Sequence, residues 1–189
     1  MLPNDTLYDL QWHYSQINLP RAWDLTTGSS DVIVAVLDTG VAASHPDLES
    51  RLTQDGYDFI SDGAVSGDGD GIDPDPSDPG DGKDNPSCPS ETAGDRSSWH
   101  GTHVAGTIGA VTNNSIGVAG VTWSTQIMDI RVLGCLGGTS YDIAQGVRYA
   151  AGLANDSGTV PARRANIINQ SLGGPYEARV ELDANTVSY

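Results

Sequence analysis

Two side chains with complementary proton chemistry stand at predicted element boundaries, a carboxylate at Asp38 and an imidazole at His100. Asp38 follows the apolar, β-branched run 31–37, which is typical of a buried parallel strand. An acid at that end of a strand faces the crevice in which open α/β sheets hold ligands. His100 opens the stretch 100–110, whose apolar stripe and lack of proline predict a helix. A carboxylate beside an imidazole can orient the ring while the ring transfers a proton.

Each of these residues also has an ordinary structural interpretation. Asp38 could cap a helix or a turn, and His100 could be a surface histidine. A zinc site at His100 and His103 is excluded, because the metalloprotease motif needs His-Glu-x-x-His on one helix face. His103 and His45 are instead expected to be packed or hydrogen-bonded, and Ser140 is expected to be a helix N-cap.

The elements that would position Asp38 and His100 alternate between strands and helices. This alternation predicts βαβ units, a mostly parallel sheet and an α/β fold class. A chain of 189 residues is long enough for one domain with a sizeable core and too short to expect two. The predicted strands are 31–37, 127–133 and 165–171, and the predicted helices are 20–27, 100–110 and 140–154.

Negative charge is concentrated in one segment. Nine basic and 25 acidic residues give the chain a net charge of −16, and the Asp/Gly/Pro-rich stretch 61–96 carries −8 of it. This stretch separates the first strand from the helix at His100, and it is interpreted as an insertion on the scaffold of a domain that covers residues 1–189. The acidic excess argues against nucleic acid and anionic membranes as partners, because phosphate binding needs clustered Lys and Arg.

The chain also lacks membrane and export signals of its own. No apolar run approaches the roughly 20 residues that span a bilayer, and the N-terminus has no basic-plus-apolar signal segment. We expect any signal peptide or propeptide to lie upstream of Met1.

Three motifs occur in the order in which one known family carries them, at 36–41, 100–107 and 168–174. Together they resemble the subtilases, the subtilisin-like serine proteases, and the chain looks most like the thermitase-type branch. The resemblance implies an α/β/α sandwich of the subtilisin type, of which this chain is the N-terminal part. It also implies peptide-bond hydrolysis through an Asp-His-Ser triad, with Asp38 orienting the imidazole and His100 as the general base.

The resemblance extends to two segments that would contact a polypeptide substrate. Ser171, Leu172 and Gly173 match the family's substrate-binding strand, to which a peptide adds as a further strand. Gly137 and Gly138 match the opposite wall less securely, because the spacing after the second strand departs from the family pattern. A plain strand end and a plain turn are the alternatives. The complete protein is expected to be a monomer.

The family's nucleophile motif, Gly-Thr-Ser followed by Met or Ala, and its Ala-Gly-Asn oxyanion segment are not found in the 189 residues. Ser140 follows Gly138-Thr139, but Tyr141 comes next and the position is too early in the chain. We therefore expect the chain alone to hydrolyse nothing. A catalytically inactive binding module or a calcium-binding fragment remains the alternative function.

The resemblance further implies a calcium site, since carboxylate, amide and backbone oxygens suit this hard cation. Asp5 could instead be a frayed terminal residue. The acids of the insertion indicate a second site near Asp58 and Asp62, although a solvated acidic loop is an alternative. The matching positions of the first site are Asp5, Asp47 and Asn114, with the carbonyls of Val111, Ile116 and Val118.

The two cysteines, Cys88 and Cys135, are compatible by composition with one disulfide or with two free thiols. If the protein is a secreted subtilase, as the resemblance implies, the two cysteines are expected to form a disulfide that connects the insertion to the loop beside the substrate. Secretion and the disulfide are thus expected together.

Overall fold

The computed structural model describes residues 1–88 and 96–174. Four parallel strands form one sheet in the order β2-β3-β1-β4. The strands are β1 (Ile33–Asp38), β2 (Tyr57–Asp58), β3 (Gln126–Arg131) and β4 (Ile167–Asn169). The α-helices are α1 (Trp12–Gln16), α2 (Leu19–Ala22), α3 (Gly63–Ser66), α4 (His100–Gly109) and α5 (Ser140–Ala150), and 3-10 turns cover Tyr8–Leu10 and Glu49–Arg51.

Strand β1 is buried along its whole length because helices cover both faces of the sheet. Ile33, Ala35 and Leu37 pack into the core cluster on the side of α5, whereas Val36 packs with Ala105 of α4 on the other side. The alternation follows from the two-residue period of a strand. The predicted α/β fold with a parallel sheet and helices is confirmed. None of the helices in the described ranges is long and apolar enough to cross a membrane.

The N-terminal arm is anchored to the segment that follows α4. The Tyr14 hydroxyl donates to the Ala119 carbonyl at 2.7 Å, and the indole N–H of Trp23 donates to the Val121 carbonyl at 2.9 Å. The rings of Tyr14 and Trp23 meet edge to face, with their centroids 5.8 Å apart. These contacts fix residues that precede the sheet in sequence against the segment that follows α4.

Helix α5 ends four residues earlier than predicted. Gly152 lies in the left-handed region with φ +74°, its N–H donates to the Tyr149 carbonyl, and the Leu153 N–H donates to the Arg148 carbonyl. This pair of bonds is a Schellman motif, which satisfies the last carbonyls and stops the helix. The prediction had placed the stop at the polar residues near Asn155, although the glycine three residues before was the signal.

Other elements also differ from the prediction. The short helix predicted over 20–27 covers only Leu19–Ala22, and the strand predicted over 165–171 covers only Ile167–Asn169. The strand predicted over 127–133 covers Gln126–Arg131, and the sequence does not predict helices α1 and α3 or strand β2. Strand β2 has two residues and exists through its pairing with β3, so no local periodicity could have revealed it.

A carboxyl group lies inside the sheet at Asp129 in β3. It is 3% exposed, and its Oδ2 accepts the Val41 N–H at 2.9 Å. Burial raises the pKa of Asp129 well above its usual value, against the smaller lowering effect of the Val41 hydrogen bond. The folded state therefore favours the neutral, protonated acid.

We expect Asp129→Asn to be tolerated, because an amide mimics the protonated acid and can still accept the Val41 N–H. Asp129→Ala should cost about 1–3 kcal/mol, since it leaves a buried N–H without an acceptor. In the parent protein a raised folded-state pKa makes stability fall as the pH rises above about 4. Unfolding at several pH values should show this slope reduced in Asp129→Asn, and an unchanged slope would contradict the assignment.

Candidate active site

The carboxylate of Asp38 and the imidazole of His100 are in direct contact. The Oδ1 of Asp38 lies 2.7 Å from Nδ1 of His100 and also accepts the Thr39 N–H at 2.8 Å. Asp38 is completely buried, whereas the His100 side chain is 46% exposed. The pair therefore has a buried acid that can hold one ring nitrogen and an imidazole that remains open to solvent.

The end of β1 and the start of α4 approach each other backbone to backbone. The Gly101 N–H donates to the Thr39 hydroxyl at 3.0 Å. A Cβ on Gly101 would lie 2.3 Å from the Gly40 carbonyl oxygen and 3.1 Å from Cβ of Asp38, which no side chain could tolerate. Trp99, directly before His100, has φ +51°, a conformation that is rare for a bulky residue. The approach of His100 to Asp38 thus depends on a glycine and on a constrained entry into the helix.

The two predicted substrate segments follow the carboxyl ends of strands that are parallel to β1. Residues 170–174 continue from β4, and Ser171 and Gly173 are exposed while Leu172 packs against the core cluster. Gly137 and Gly138 are exposed in a tight turn that follows β3. Because the carboxyl ends of parallel strands meet at one edge of a sheet, both segments lie at the same edge as Asp38.

The predicted calcium residues gather where the N-terminal arm meets the turn after α4. Asp5 accepts the backbone N–H groups of Asn113 and Asn114 at 3.0 and 3.3 Å. Asp47 accepts the Asn114 side-chain amide at 2.7 Å and the Val118 N–H at 3.0 Å. Asp5 and Asp47 are 5% and 2% exposed. Two buried carboxylates and an amide are thus brought together from three distant parts of the sequence.

Two further backbone N–H groups of this region donate hydrogen bonds to Asp47 and Asn114. The Val111 N–H donates to the Asp47 carbonyl, and the Ile116 N–H donates to the Asn114 side-chain oxygen. Within residues 1–88 and 96–174, no group of three or more His, Cys, Asp or Glu side chains is placed to hold a metal ion. A cation here would need the amide and carbonyl oxygens as well as the two carboxylates, which is the oxygen-rich set that calcium takes.

Residues 29–189 match the subtilase family. The chain belongs to the subtilase family. It is similar to an extracellular protease of Xanthomonas campestris pv. campestris, with 44% identity over 178 residues, which are 92% of this chain and 30% of that protein. It is also similar to thermitase of Thermoactinomyces vulgaris, with 37% identity over 174 residues, which are 91% of this chain and 48% of that protein.

The fold of this subtilase is likewise similar to a solved structure. A protease from Pseudoalteromonas arctica superposes with a TM-score of 0.88 and 43% identity, over 100% of this chain and 56% of that one. The chain therefore spans between 30% and 56% of the length of these relatives. Family members are serine proteases and commonly bind calcium.

The second predicted calcium site of this subtilase is not supported by its contacts. Asp58 pairs with Arg131, which is 1% exposed and also contacts Asp68 and the Ser66 carbonyl. Asp62 instead caps α3 by accepting the Ala64 N–H at 2.9 Å. Burial raises the pKa of Asp58 to about 7, against the lowering effect of Arg131. A buried guanidinium therefore already pairs with the Asp58 carboxylate, and a second calcium site near Asp58 and Asp62 stays a prediction.

Three further predictions concern individual side chains. Thr139, not Ser140, is the N-cap of α5, because the Thr139 hydroxyl accepts the Asp142 N–H while Ser140 is the first helical residue. His45 is hydrogen-bonded as expected, with Nδ1 accepting the Asp47 N–H at 3.2 Å. His103, predicted to be packed or hydrogen-bonded, is exposed.

The acidic insertion is connected to the site through Cys88 and Cys135, which form a disulfide. Residues 89–95 of the insertion lie outside the described residues.

Sequence analysis missed two residues that contact this site. They are Arg131, whose partner Asp58 lies 73 positions away, and Asp78, which accepts a hydrogen bond from the Thr39 hydroxyl. Asp78 is one acid among ten in the segment, and no local pattern distinguishes it.

Gly101→Ala should separate β1 from α4, because the new Cβ would collide with a backbone oxygen that cannot move independently of the strand. We expect a loss of at least about 2 kcal/mol of stability, at the level of core overpacking, and a longer Asp38–His100 distance. Unfolding and a crystal structure of the variant would measure the two effects.

Gly71→Ala in the insertion is the matched control. Its added Cβ would come no closer than 3.3 Å, to the Ser61 carbonyl oxygen, so its effect on stability should be clearly smaller. Equal effects in the two variants would show that the approach at Gly101 is not tight.

Proposed function

We propose that the whole protein is a secreted, calcium-stabilised serine endopeptidase and that this chain supplies its Asp38 and His100. The observation that carries the proposal is the 2.7 Å contact between a fully buried aspartate and a half-exposed histidine at the carboxyl edge of the sheet. In a subtilase, these are the acid and the base of the Asp-His-Ser arrangement, of which subtilisin is a well-known case.

The roles follow from the geometry of the pair. Asp38 holds Nδ1 of His100, so the other ring nitrogen is the one available to a nucleophile. His100 takes the proton of a serine hydroxyl as the serine attacks the peptide carbonyl, and then delivers it to the leaving amine. Asp38 stabilises the imidazolium that exists between the two transfers. Its burial strengthens that stabilisation, because water does not compete for the carboxylate.

Polypeptides are the proposed substrates. Residues 171–173, of which Ser171 and Gly173 are exposed, continue from β4, which ends the described strand order, so an extended peptide could pair with this segment as an added strand. Gly137 and Gly138 would form the opposite wall. Secretion is supported by the extracellular proteases among the relatives and by the disulfide, which is typical of exported proteins.

In the whole protein, His100→Ala should abolish labelling by a serine-directed fluorophosphonate, because the nucleophile is no longer activated. His13→Ala is the control: it removes another imidazole, from α1, and should leave labelling unchanged. If His100→Ala were labelled as fast as the parent protein, the proposed catalytic role would be wrong.

The chain 1–189 lacks the family's serine motif, and we infer that it is inactive by itself. Purified alone, it should show neither a hydrolytic burst nor fluorophosphonate labelling. Labelling at Ser140, the first residue of α5, would instead identify that serine as reactive.

Calcium is proposed at the meeting point of the N-terminal arm and the turn after α4. Asp5, Asp47 and Asn114 would hold it, with carbonyls of Val111, Ile116 or Val118 completing the set. Its contribution would be electrostatic and structural, as a cation that neutralises two buried carboxylates. A ligand that binds only the folded state raises stability by mass action.

Asp47→Ala should remove most of the difference in melting temperature between excess calcium and excess chelator. The readout is that difference rather than the melting temperature itself, because Asp47 also makes two hydrogen bonds. Asp9→Ala, which removes an exposed acid from the same arm, should keep the full difference. An identical melting temperature of the parent protein in calcium and in chelator would dismiss the site.

A further inference from the structure

A carboxylate of the acidic insertion reaches the residue that follows Asp38. The Thr39 hydroxyl donates to Oδ2 of Asp78 at 2.9 Å, and the two residues are 6% and 8% exposed. The bond is therefore buried, unlike the contacts of most acids in the insertion.

Asp78 is held in place by its own surroundings. Its Oδ1 accepts the Gly80 N–H at 2.7 Å, and its N–H donates to the Val41 carbonyl at 3.3 Å. A Cβ on Gly40 would lie 2.5 Å from the Pro76 carbonyl oxygen and 2.8 Å from the Asp78 nitrogen. The insertion thus packs directly against the backbone that leaves β1.

The direction of the Thr39 hydroxyl matters because one hydroxyl has a single hydrogen and two lone pairs. When the hydrogen is donated to Asp78, a lone pair is left for the Gly101 N–H, which lies 3.0 Å from the Thr39 oxygen. The Thr39 N–H donates to Asp38 at the same time. Thr39 therefore connects Gly101, the residue after His100, with the Asp38 carboxylate. Asp78 determines the direction in which the hydrogen of the Thr39 hydroxyl points.

We propose that Asp78 is a positioning residue for the Asp38–His100 pair and that it acts through the Thr39 hydroxyl. The inference rests on the proposed function as a serine endopeptidase. Without Asp78 the hydroxyl is free to rotate and can turn its hydrogen toward the Gly101 N–H, which would repel it. The start of α4 would then shift relative to β1, and general-base catalysis is sensitive to such shifts.

The test compares two carboxylates of the same loop in the whole protein. Asp75 and Asp78 each accept the N–H two residues further on, at Ser77 and Gly80, but only Asp78 also contacts Thr39. Asp78→Ala should lower kcat on a peptide substrate about tenfold with KM within about twofold, the size of a modest misplacement of a catalytic group. Asp75→Ala removes the same charge and should leave both constants unchanged.

Variants of Thr39 separate positioning from simple support of the fold. Thr39→Val keeps the shape but loses the hydroxyl, so it should lower kcat as much as Asp78→Ala, whereas Thr39→Ser should retain most of the activity. In the double variant the two losses should not multiply, because both act on one link. Thr39→Val also removes the acceptor of the Gly101 N–H, so if Asp78→Ala does not fold, an unchanged kcat in Thr39→Val still overturns the proposal.

An unchanged kcat in Asp78→Ala or Thr39→Val, a loss confined to KM, or losses that multiply in the double variant would overturn the role of Asp78. If the proposed function itself were wrong, the parent protein and His100→Ala would be equally inactive. That result differs from an active parent protein whose kcat is unchanged by Asp78→Ala.

Discussion

A fully buried carboxylate at the end of a parallel strand is the constraint on which this structure depends. Removing a charge from water is costly unless hydrogen bonds replace the lost hydration. Asp38 receives two such bonds, from the Thr39 N–H and from His100. Both donors must therefore be held at the strand end, and the close approach of Gly101 to Gly40 is what brings the histidine there.

The same end of the sheet contains more buried acid than base, and three different mechanisms resolve the imbalance. Arg131 is paired with the acids of β2 and the insertion. For Asp129, burial raises the pKa well above the usual value. Asp78 is compensated by hydrogen bonds from Thr39 and Gly80. Among these acids, Asp38 is the one whose partner is a half-exposed imidazole.

Sequence analysis predicted the parts of this arrangement that are encoded locally. The β-branched run before Asp38 and the helix that begins at His100 are visible within a dozen residues each. The partnership of Asp58 with Arg131 spans 73 positions and depends on the pairing of β2 with β3, a strand pair too short to leave a pattern. The second calcium site near Asp58 and Asp62 stays a prediction, and its motive did not include Arg131, because the acid is visible in the sequence and its guanidinium partner is not.

The charge of the insertion indicates a metal site, whereas the contacts of its carboxylates indicate that they accept structural hydrogen bonds. Within residues 61–88 and 96, several of its carboxylates accept hydrogen bonds from specific donors. Asp84 accepts the Ser97 N–H at 2.8 Å, and Asp81 accepts the Ser98 hydroxyl at 2.7 Å. The Ser98 oxygen in turn accepts the His100 N–H at 3.2 Å. Because a carboxylate can accept several hydrogen bonds, acids placed before a helix can hold the backbone that leads into it.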